Sequence, residues 1–252
     1  MTLNVTKDLT GRYSRHKLLR EFGDAGQEKI SQTRFLIIGA GGVGCPAALC
    51  LAEAGVGGIT IVDADKADVT NLPRQILHTP ARVGLNKALS AKIALNELNP
   101  EVEVTAVDRW ADDALLAELM ASIDVVLDCS DNFKTRHAVN RAAHAARKPL
   151  ITASSVRFSL QIAFFDFSSR ATPCYQCTFP EDEETDIKAS ATGVFAPVTG
   201  ISGMIAAGEA LKFAAGIRTL TGKLLVIDTL NWNTDIFDLS ADPDCPVCSG
   251  KL

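Results

Sequence analysis

Hydrophobic and polar positions over the first 150 residues predict strands that alternate with helices. Residues 34–38 form a short apolar run that leads into glycines, which is typical of a buried strand followed by a tight turn. The stretch from about Gly42 to Ala54 is rich in alanine and leucine, as expected of a helix that packs on a sheet. This alternation predicts a mostly parallel sheet covered by helices. The other predicted elements of this part are strands at 59–63, 102–107 and 125–128 and helices at 84–98, 111–121 and 133–147.

After the last of these helices, the pattern becomes richer in β-structure. Residues 149–155 and 158–165 are predicted as two strands joined by a turn, and 224–228 and 231–239 as a final strand pair. A helix of small residues is predicted at 200–215. No repeat, low-complexity tract or linker interrupts the chain, so we expect one compact unit.

Three glycines follow the first predicted strand with the spacing of a phosphate-binding loop. Gly39, Gly41 and Gly44 satisfy the pattern G-x-G-x-x-G, which permits a tight turn, a close backbone approach to phosphate and close packing of helix on strand. Asp63 ends the next strand, where this fold places an acidic residue, and Asp65 lies beside it. The pattern predicts a Rossmann-like nucleotide site. Alone it favours a dinucleotide such as NAD, and a glycine turn without a ligand is the simpler alternative.

Composition narrows the class of protein. The chain has 252 residues, of which 47% are hydrophobic and 22% are charged, as is ordinary for a globular protein. Its net charge of −5 argues against a nucleic-acid or membrane-surface partner. No apolar run reaches the roughly 18–20 residues of a membrane span, and the first ten residues lack the pattern of a signal peptide. We therefore expect a cytoplasmic protein.

Four of the seven cysteines form two C-x-x-C pairs, Cys174 with Cys177 and Cys245 with Cys248. Four thiolates suit a closed tetrahedral zinc site, although 67 residues separate the pairs and the fold must bring them together. A redox dithiol is the competing interpretation of either pair, but two pairs favour zinc. We expect the remaining cysteines to be small buried residues: Cys45, Cys50 and Cys129.

Four polar residues near the predicted glycine loop change the choice of nucleotide. Asn71, Arg74, Lys87 and Asp131 all lie at the ends of predicted strands or the starts of helices. Hydride transfer to NAD needs no such set of charges around the phosphates, whereas attack on a nucleoside triphosphate does. Arg74 and Lys87 can neutralise the reacting phosphates, and Asp131 can hold a magnesium ion. Together these residues favour ATP over a dinucleotide.

At these positions the chain resembles the ubiquitin-activating-enzyme-like family of bacterial adenylyltransferases, which includes ThiF and MoeB. The resemblance covers nearly the whole length and rests on many motifs in the same order. These motifs are Arg12-Tyr13-Ser14-Arg15, 39–44, 54–57, Asp63, Asn71-Leu72-Pro73-Arg74-Gln75, Lys87, 127–132 and both C-x-x-C pairs.

The resemblance, together with the glycine motif, assigns a candidate site. It implies that Arg15, Arg74, Lys87 and Asp131 are catalytic and that Arg15 reaches the ATP site of the partner in a homodimer. Asp63 would contact the ribose and Asp131 the magnesium ion. The candidate nucleotide-binding residues are Gly39, Gly41, Gly42, Gly44, Asp63, Asp65, Asn71, Arg74, Lys87, Asp131 and Asn132.

The implied reaction is adenylation of a C-terminal glycine carboxylate on a small ubiquitin-like sulfur-carrier protein that ends in Gly-Gly. An α-carboxylate has a pKa of about 3.3–3.7, so it is already a nucleophile at neutral pH and needs no histidine base. Relatives of the family adenylate precursor peptides in natural-product pathways, which is a second hypothesis. A non-catalytic or NAD-binding relative is a third.

Two positions depart from the family pattern. The usual Asn-Leu-Gln-Arg-Gln has Pro73 at its third position, which stiffens the turn but keeps Arg74. Members that form a thioester or persulfide carry a cysteine where this chain has Ala189. The chain therefore stops at the acyl-adenylate, uses another thiol, or lost the cysteine by mutation.

The predicted organisation is a single domain in three parts. These are N-terminal helices at 1–32, a nucleotide-binding half at 33–150 and a β-rich half at 151–252 that zinc would join to the C-terminal end. Small residues at 201–208 would allow close helix approach, either in a dimer or within the subunit.

Overall fold

The computed structural model describes residues 11–168, 172–181 and 192–249. Eight strands and eight helices are defined within these ranges, together with 3-10 turns at Val69–Asn71 and Pro80–Arg82. The strands are β1 Arg34–Ile38, β2 Gly58–Val62, β3 Glu103–Val107, β4 Val125–Asp128, β5 Leu150–Val156, β6 Ser159–Phe165, β7 Lys223–Asp228 and β8 Asn233–Asp238. The helices are α1 Ser14–Lys17, α2 Gly23–Gln32, α3 Gly44–Ala54, α4 Lys87–Leu98, α5 Asp113–Met120, α6 Phe133–Ala145, α7 Tyr175–Thr178 and α8 Ala196–Ala215.

The strands form one sheet in the order β3-β2-β1-β4-β5-β6-β7-β8. The first five in this order are parallel, and β6, β7 and β8 continue the sheet with antiparallel pairing. The predicted α/β fold with a mostly parallel, helix-covered sheet is confirmed. The chain crosses from β3 on one side of β1 to β4 on the other, so the carboxyl ends of β1 and β4 flank a topological switch point, where open sheets bind ligands.

Both faces of the sheet are buried at its central strands β1 and β4, whereas β8 is exposed. Along β1, Phe35 and Ile37 belong to one apolar cluster and Leu36 and Ile38 to another, because successive side chains of a strand point to opposite faces. A strand buried on both faces shows a continuous apolar run rather than an alternating one, which is the pattern that the sequence shows at this strand.

The small residues of α8 pack within the subunit. A Cβ atom on Gly203 would lie 2.2 Å from the carbonyl oxygen of Val43, so a larger residue would separate α8 from the start of α3. Ser202, Ala206 and Ala207 on the same helix are also fully buried. The packing of α8 on the nucleotide-binding half therefore accounts for the small residues at Ser202, Gly203, Ala206 and Ala207, whereas a Cβ atom on Gly208 would meet open space.

Several element boundaries differ from the sequence prediction, and helix α4, for example, begins at Lys87 rather than at residue 84. Helix α3 begins at Gly44 rather than near Gly42, which leaves Gly42 and Val43 in the loop. Helix α8 begins at Ala196 rather than at residue 200, with a proline in its first turn, where the missing N–H costs nothing. Among the described residues, none of the helices combines the length and hydrophobicity that a membrane span requires.

Candidate nucleotide-binding site

A cleft of about 870 Å³ lies at the carboxyl ends of the parallel strands. The glycine loop after β1 lines it, together with the segments that follow β2, β3 and β4. Nine of the eleven candidate nucleotide-binding residues line this cleft, and the exceptions are Gly44 and Asn71. The predicted site residues come from distant parts of the sequence, and the sheet brings them to one edge.

The glycines of the loop are required for different reasons. Gly39 has a φ of +95°, and a Cβ there would lie 2.9 Å from the carbonyl oxygen of Cys129. A Cβ on Gly44 would lie 1.8 Å from the carbonyl oxygen of Gly39, so this glycine lets α3 start close to β1. Gly41 has only the amide nitrogen of Gln75 within 4 Å of a hypothetical Cβ, which leaves its backbone open to the cleft.

Asp63 organises the loop from the end of β2. Its carboxylate accepts hydrogen bonds from the backbone N–H groups of Ala40 and Asp65, each at 2.8 Å. Burial raises the pKa of Asp63, and the positive charge of Lys87 and these two hydrogen bonds oppose that shift. One carboxylate therefore ties the glycine loop to the segment after β2.

Lys87 is held at the start of α4 and is only 8% exposed. Its Nζ lies 3.0 Å from Oδ2 of Asp65, and its backbone N–H donates to the Asp65 carbonyl at 2.8 Å. The preceding residue, Asn86, caps α4 and donates from Nδ2 to the carbonyl of Asp63 and to the carboxylate of Asp108, both at 2.7 Å. Asn86 has no role in the sequence prediction, although it joins the ends of β2 and β3.

The segment after β2 carries the next candidates. Arg74 lines the cleft, and its Nη1 donates to the carbonyl of Thr70 at 3.1 Å. The side-chain oxygen of Asn71 accepts from the backbone N–H of Asp68 at 3.2 Å and stabilises the 3-10 turn, so this atom is already engaged. Gln75 lines the cleft while 4% exposed, and its buried Oε1 has no hydrogen-bond partner.

The segment after β4 presents Asp131 to solvent at the edge of the cleft. Asn132 also lines the cleft, and its side chain caps α6 by accepting from the N–H of Thr135 at 2.9 Å. The buried Asp128 accepts from the N–H of Ser130 at 3.0 Å and from its hydroxyl at 2.6 Å. These contacts fix the backbone on both sides of Asp131.

Arg136 is a cleft residue that sequence reasoning missed. It is only 8% exposed and donates from Nη2 to the carbonyl of Ser130, and at 3.4 Å to that of Ala153. Burial raises the pKa of Tyr175 to about 12, and the positive charge of Arg136 opposes that shift. The signal available in the sequence is a basic residue one helical turn after the cap Asn132.

Buried polar side chains stabilise the backbone of the glycine loop by hydrogen bonds. His78 is 5% exposed, with Nε2 at 2.9 Å from the carbonyl of Ala40 and Nδ1 at 2.9 Å from the hydroxyl of Ser90. Because a carbonyl only accepts, Nε2 carries the proton and the hydroxyl donates to Nδ1. The thiol of Cys45 donates to the same carbonyl at 3.2 Å, and burial raises its pKa to about 12. Cys45 and Cys129 are buried as predicted, whereas Cys50 is partly exposed.

Arg15 lies on the short helix α1, exposed, and it does not line the cleft of its own subunit. Ala189 and most of the acidic run that begins at Glu181 lie outside the described residues.

The four cysteines of the C-x-x-C pairs form a second site. Their sulfur atoms lie within 4.8 Å of one another, with Cys174 at 3.6 Å from Cys245 and Cys177 at 3.3 Å from Cys248. Thiolates on a tetrahedral zinc ion lie about 3.8 Å apart, given Zn–S distances of about 2.3 Å. The backbone N–H groups of Asp242 and Val247 point at Cys177 and Cys245, each at 3.4 Å from sulfur. The donor set fits zinc, and the fold brings the two pairs together as predicted.

The parallel sheet, the glycine loop and the charged cleft define a Rossmann-like nucleotide-binding protein, and its four clustered cysteines could hold a metal ion. Residues 13–247 match the ThiF family, and the chain therefore belongs to this family. The family relationship predicted from the motifs is confirmed.

Two curated relatives match over nearly their whole length. The molybdopterin-synthase adenylyltransferase of Escherichia coli (strain K12) is 40% identical over 241 residues, which cover 94% of this chain and 95% of the relative. The sulfur carrier protein ThiS adenylyltransferase of the same organism is 39% identical over 245 residues, covering 95% of each. Both relatives carry the activity that the sequence motifs imply.

A solved structure of E. coli MccB with ATP is also similar. It has a TM-score of 0.81 and 27% identity, and the match covers 97% of this chain and 75% of that one. Another structure of the same protein, described as a microcin C7 biosynthetic enzyme, contains N-formylated MccA.

Proposed function

We propose that this protein is an adenylyltransferase that uses ATP to activate a carboxylate as an acyl-adenylate, with release of pyrophosphate. The observation that carries the proposal is the convergence of Arg74, Lys87 and Asp131 on the cleft that the glycine loop lines. Two cations and a carboxylate around a phosphate loop suit displacement at a nucleoside triphosphate, and hydride transfer has no use for them.

The chain's own residues would divide the task along the edge of the sheet. The backbone at Gly41 and Gly42, which lines the cleft, would bind phosphate, and Asp63 would contact the ribose. Arg74 and Lys87 would neutralise the departing pyrophosphate. Asp131 would hold a magnesium ion, which supplies positive charge to the phosphates when bound. Asn132 would support this segment by its cap on α6.

The attacking group needs no base from the protein. A C-terminal carboxylate, with a pKa of about 3.3–3.7, is ionised at neutral pH. What remains for the site is to hold the carboxylate in line with the α-phosphorus and to stabilise the leaving charge. Among the described residues, those that line the cleft include no histidine, in agreement with this chemistry.

The substrate proposed first is a small ubiquitin-like sulfur-carrier protein that ends in Gly-Gly. The two E. coli relatives, named for molybdopterin synthase and for the sulfur carrier ThiS, support this choice at 39–40% identity. A precursor peptide is the second candidate, and the MccB structure that contains MccA supports it at 25% identity. Both substrates present a carboxylate, so they share the proposed chemistry at phosphorus.

Zinc would be bound by Cys174, Cys177, Cys245 and Cys248 in a closed, structural site.

We propose further that the chain forms a homodimer in which Arg15 of one subunit completes the ATP site of the other. The exposed position of Arg15 outside its own cleft is compatible with this role. Mixed Arg15→Ala and Lys87→Ala proteins should then regain activity at about a quarter of their sites after subunit exchange, because only heterodimers contain an intact site. An absence of rescue after verified exchange would contradict the role of Arg15.

The proposed function is tested by ATP–pyrophosphate exchange that depends on the acceptor. The protein is incubated with ATP, labelled pyrophosphate and a candidate carrier that ends in Gly-Gly. Label should enter ATP with the free carrier and not with a matched carrier whose C-terminal carboxylate is amidated. Exchange with a precursor peptide instead would favour the second candidate, and no exchange with either acceptor would contradict adenylation of these substrates.

A further inference from the structure

Trp110 is an exposed tryptophan on the rim of the cleft. It lines the cleft while 70% of its surface is exposed. The chain's other tryptophan, Trp232, is 73% exposed but does not line the cleft. A large aromatic side chain left open on a polar site has surface available for a ligand.

The backbone that carries Trp110 is fixed on both sides. Before it, the carboxylate of Asp108 accepts from Asn86, which also holds the carbonyl of Asp63. After it, the backbone N–H of Asp112 donates to the carbonyl of Trp110 at 2.9 Å, and the side chain of Asp112 caps α5 by accepting from Leu115. The ring therefore projects from an anchored turn.

The order of the strands places Trp110 where a nucleotide base would lie. The glycine loop follows β1, Asp63 follows β2 and Trp110 follows β3, and these three strands are neighbours in the sheet. In this fold phosphate binds the glycine loop and ribose binds the acidic residue after β2. The base then lies one strand further out, at the end of β3. Partly buried Phe133 and Ala111 line the same cleft and add apolar surface.

We propose that Trp110 is the platform on which the purine base of the nucleotide stacks. This inference rests on the proposed use of ATP and adds to it the residue that binds the base. Stacking uses the π face that every base has, so it contributes affinity without reading exocyclic groups. Loss of the ring should therefore weaken the binding of adenine and guanine nucleotides equally and leave the binding of tripolyphosphate unchanged.

Fluorescence can distinguish the two tryptophans, because replacing either one leaves the other as the only tryptophan in the protein. In a Trp232→Phe protein, addition of ATP with Mg²⁺ should quench the emission of Trp110. In a Trp110→Phe protein, the emission of Trp232 should stay constant through the same titration. An unchanged Trp110 signal at concentrations of ATP that saturate the protein by calorimetry would overturn the proposal.

Affinity gives the second measurement. Trp110→Ala should raise the Kd for ATP by about 5- to 150-fold, whereas Trp110→Phe should retain most of the affinity and Trp232→Ala should retain all of it. Because Trp110 is exposed, the melting temperature of the alanine protein should match that of the wild type. An unchanged Kd in Trp110→Ala would overturn stacking even if pyrophosphate exchange proceeds normally. A wild-type protein that does not bind ATP would overturn both stacking and the proposed function.

Discussion

The Nζ atom of Lys87 lies 3.0 Å from Oδ2 of Asp65, at the edge of the cleft. The two side chains differ in exposure, at 10% for Lys87 and 52% for Asp65. The ion pair thus holds the nearly buried ammonium group of Lys87 beside the glycine loop, and the carboxylate that pairs with it is about half exposed to solvent. In the proposed reaction a nucleotide phosphate in the cleft would meet a positive charge already in place, which is the condition for electrostatic catalysis without reorganisation.

We expect Lys87→Ala to reduce ATP–pyrophosphate exchange by roughly two to three orders of magnitude, as loss of a preorganised charge-stabilising group does elsewhere. The matched control is Lys66→Ala, which removes the same charge from an exposed position nearby that does not line the cleft. It should leave exchange close to the wild-type rate. Equal activity of both variants would place the reaction outside this cleft.

Arg136 should support the reaction through the segment that carries Asp131. Because it holds the carbonyl of Ser130, Arg136→Ala should let this segment shift and lower exchange by about 100-fold, with the larger effect on kcat. Arg141 on the same helix is a suitable control, since it is more exposed and pairs with Asp113 at 3.7 Å. If Arg136→Ala and Arg141→Ala have the same activity, Arg136 has no positioning role.

Metal analysis should find one zinc ion per chain. Cys248→Ser should lose the zinc and lower the melting temperature, because the free energy of metal binding contributes to folding. Cys50→Ser, a partly exposed cysteine outside the cluster, should keep both zinc content and melting temperature. Purified protein that lacks zinc, or a Cys248→Ser protein of unchanged stability, would rule out a structural zinc site.

The buried His78 should make stability depend on pH. Burial lowers its pKa below the usual 6.5, and the charges of Lys87 and Arg82 lower it further, while the hydrogen bond to Ala40 opposes the shift. As pH falls below about 6.5, His78 binds a proton in the unfolded chain before it does so in the folded protein. The free energy of unfolding should therefore decrease from pH 7 towards pH 5.

The measurement for His78 is urea unfolding at both pH values. His78→Gln keeps a donor for the Ala40 carbonyl but cannot titrate, so its free energy of unfolding should fall less over the same interval. At about pH 8 the imidazole of His78 is neutral in both the folded and the unfolded wild-type chain. The difference in free energy of unfolding between the two proteins at this pH therefore gives the baseline. The same pH dependence in both proteins would show that His78 does not titrate on unfolding.

The parts of the site that the sequence predicted are those with local signals. The spacing of Gly39, Gly41 and Gly44 follows from one strand, one turn and one helix, so neighbouring residues suffice to predict it. The two C-x-x-C pairs likewise define their ligands by spacing, although only the fold shows that Cys174 and Cys245 lie 3.6 Å apart. The order of the motifs along the chain carried the family prediction.

The parts that the sequence did not predict depend on contacts between distant segments. The contact of His78 with the Ala40 carbonyl joins residues 38 positions apart, and no local pattern indicates it. Similarly, Arg136 reaches Tyr175, which lies between two cysteines of the other half of the chain. The strand pairs after residue 149 were predicted from the sequence, but that they extend the same sheet follows only from the pairing of β4 with β5 and of β6 with β7.

In the proposed reaction, this cleft transfers the AMP moiety of ATP to a carboxylate. To test this reaction, the protein is incubated with a carrier that ends in Gly-Gly and with ATP labelled either at the α-phosphate or at the γ-phosphate. The transfer of each label to the carrier is then measured. We expect α-label to appear on the carrier, hydroxylamine to release it, and the Lys87→Ala protein to transfer almost none. Label from the γ-phosphate on the carrier, or α-label transfer that persists undiminished in Lys87→Ala, would show that the cleft does not catalyse adenylation.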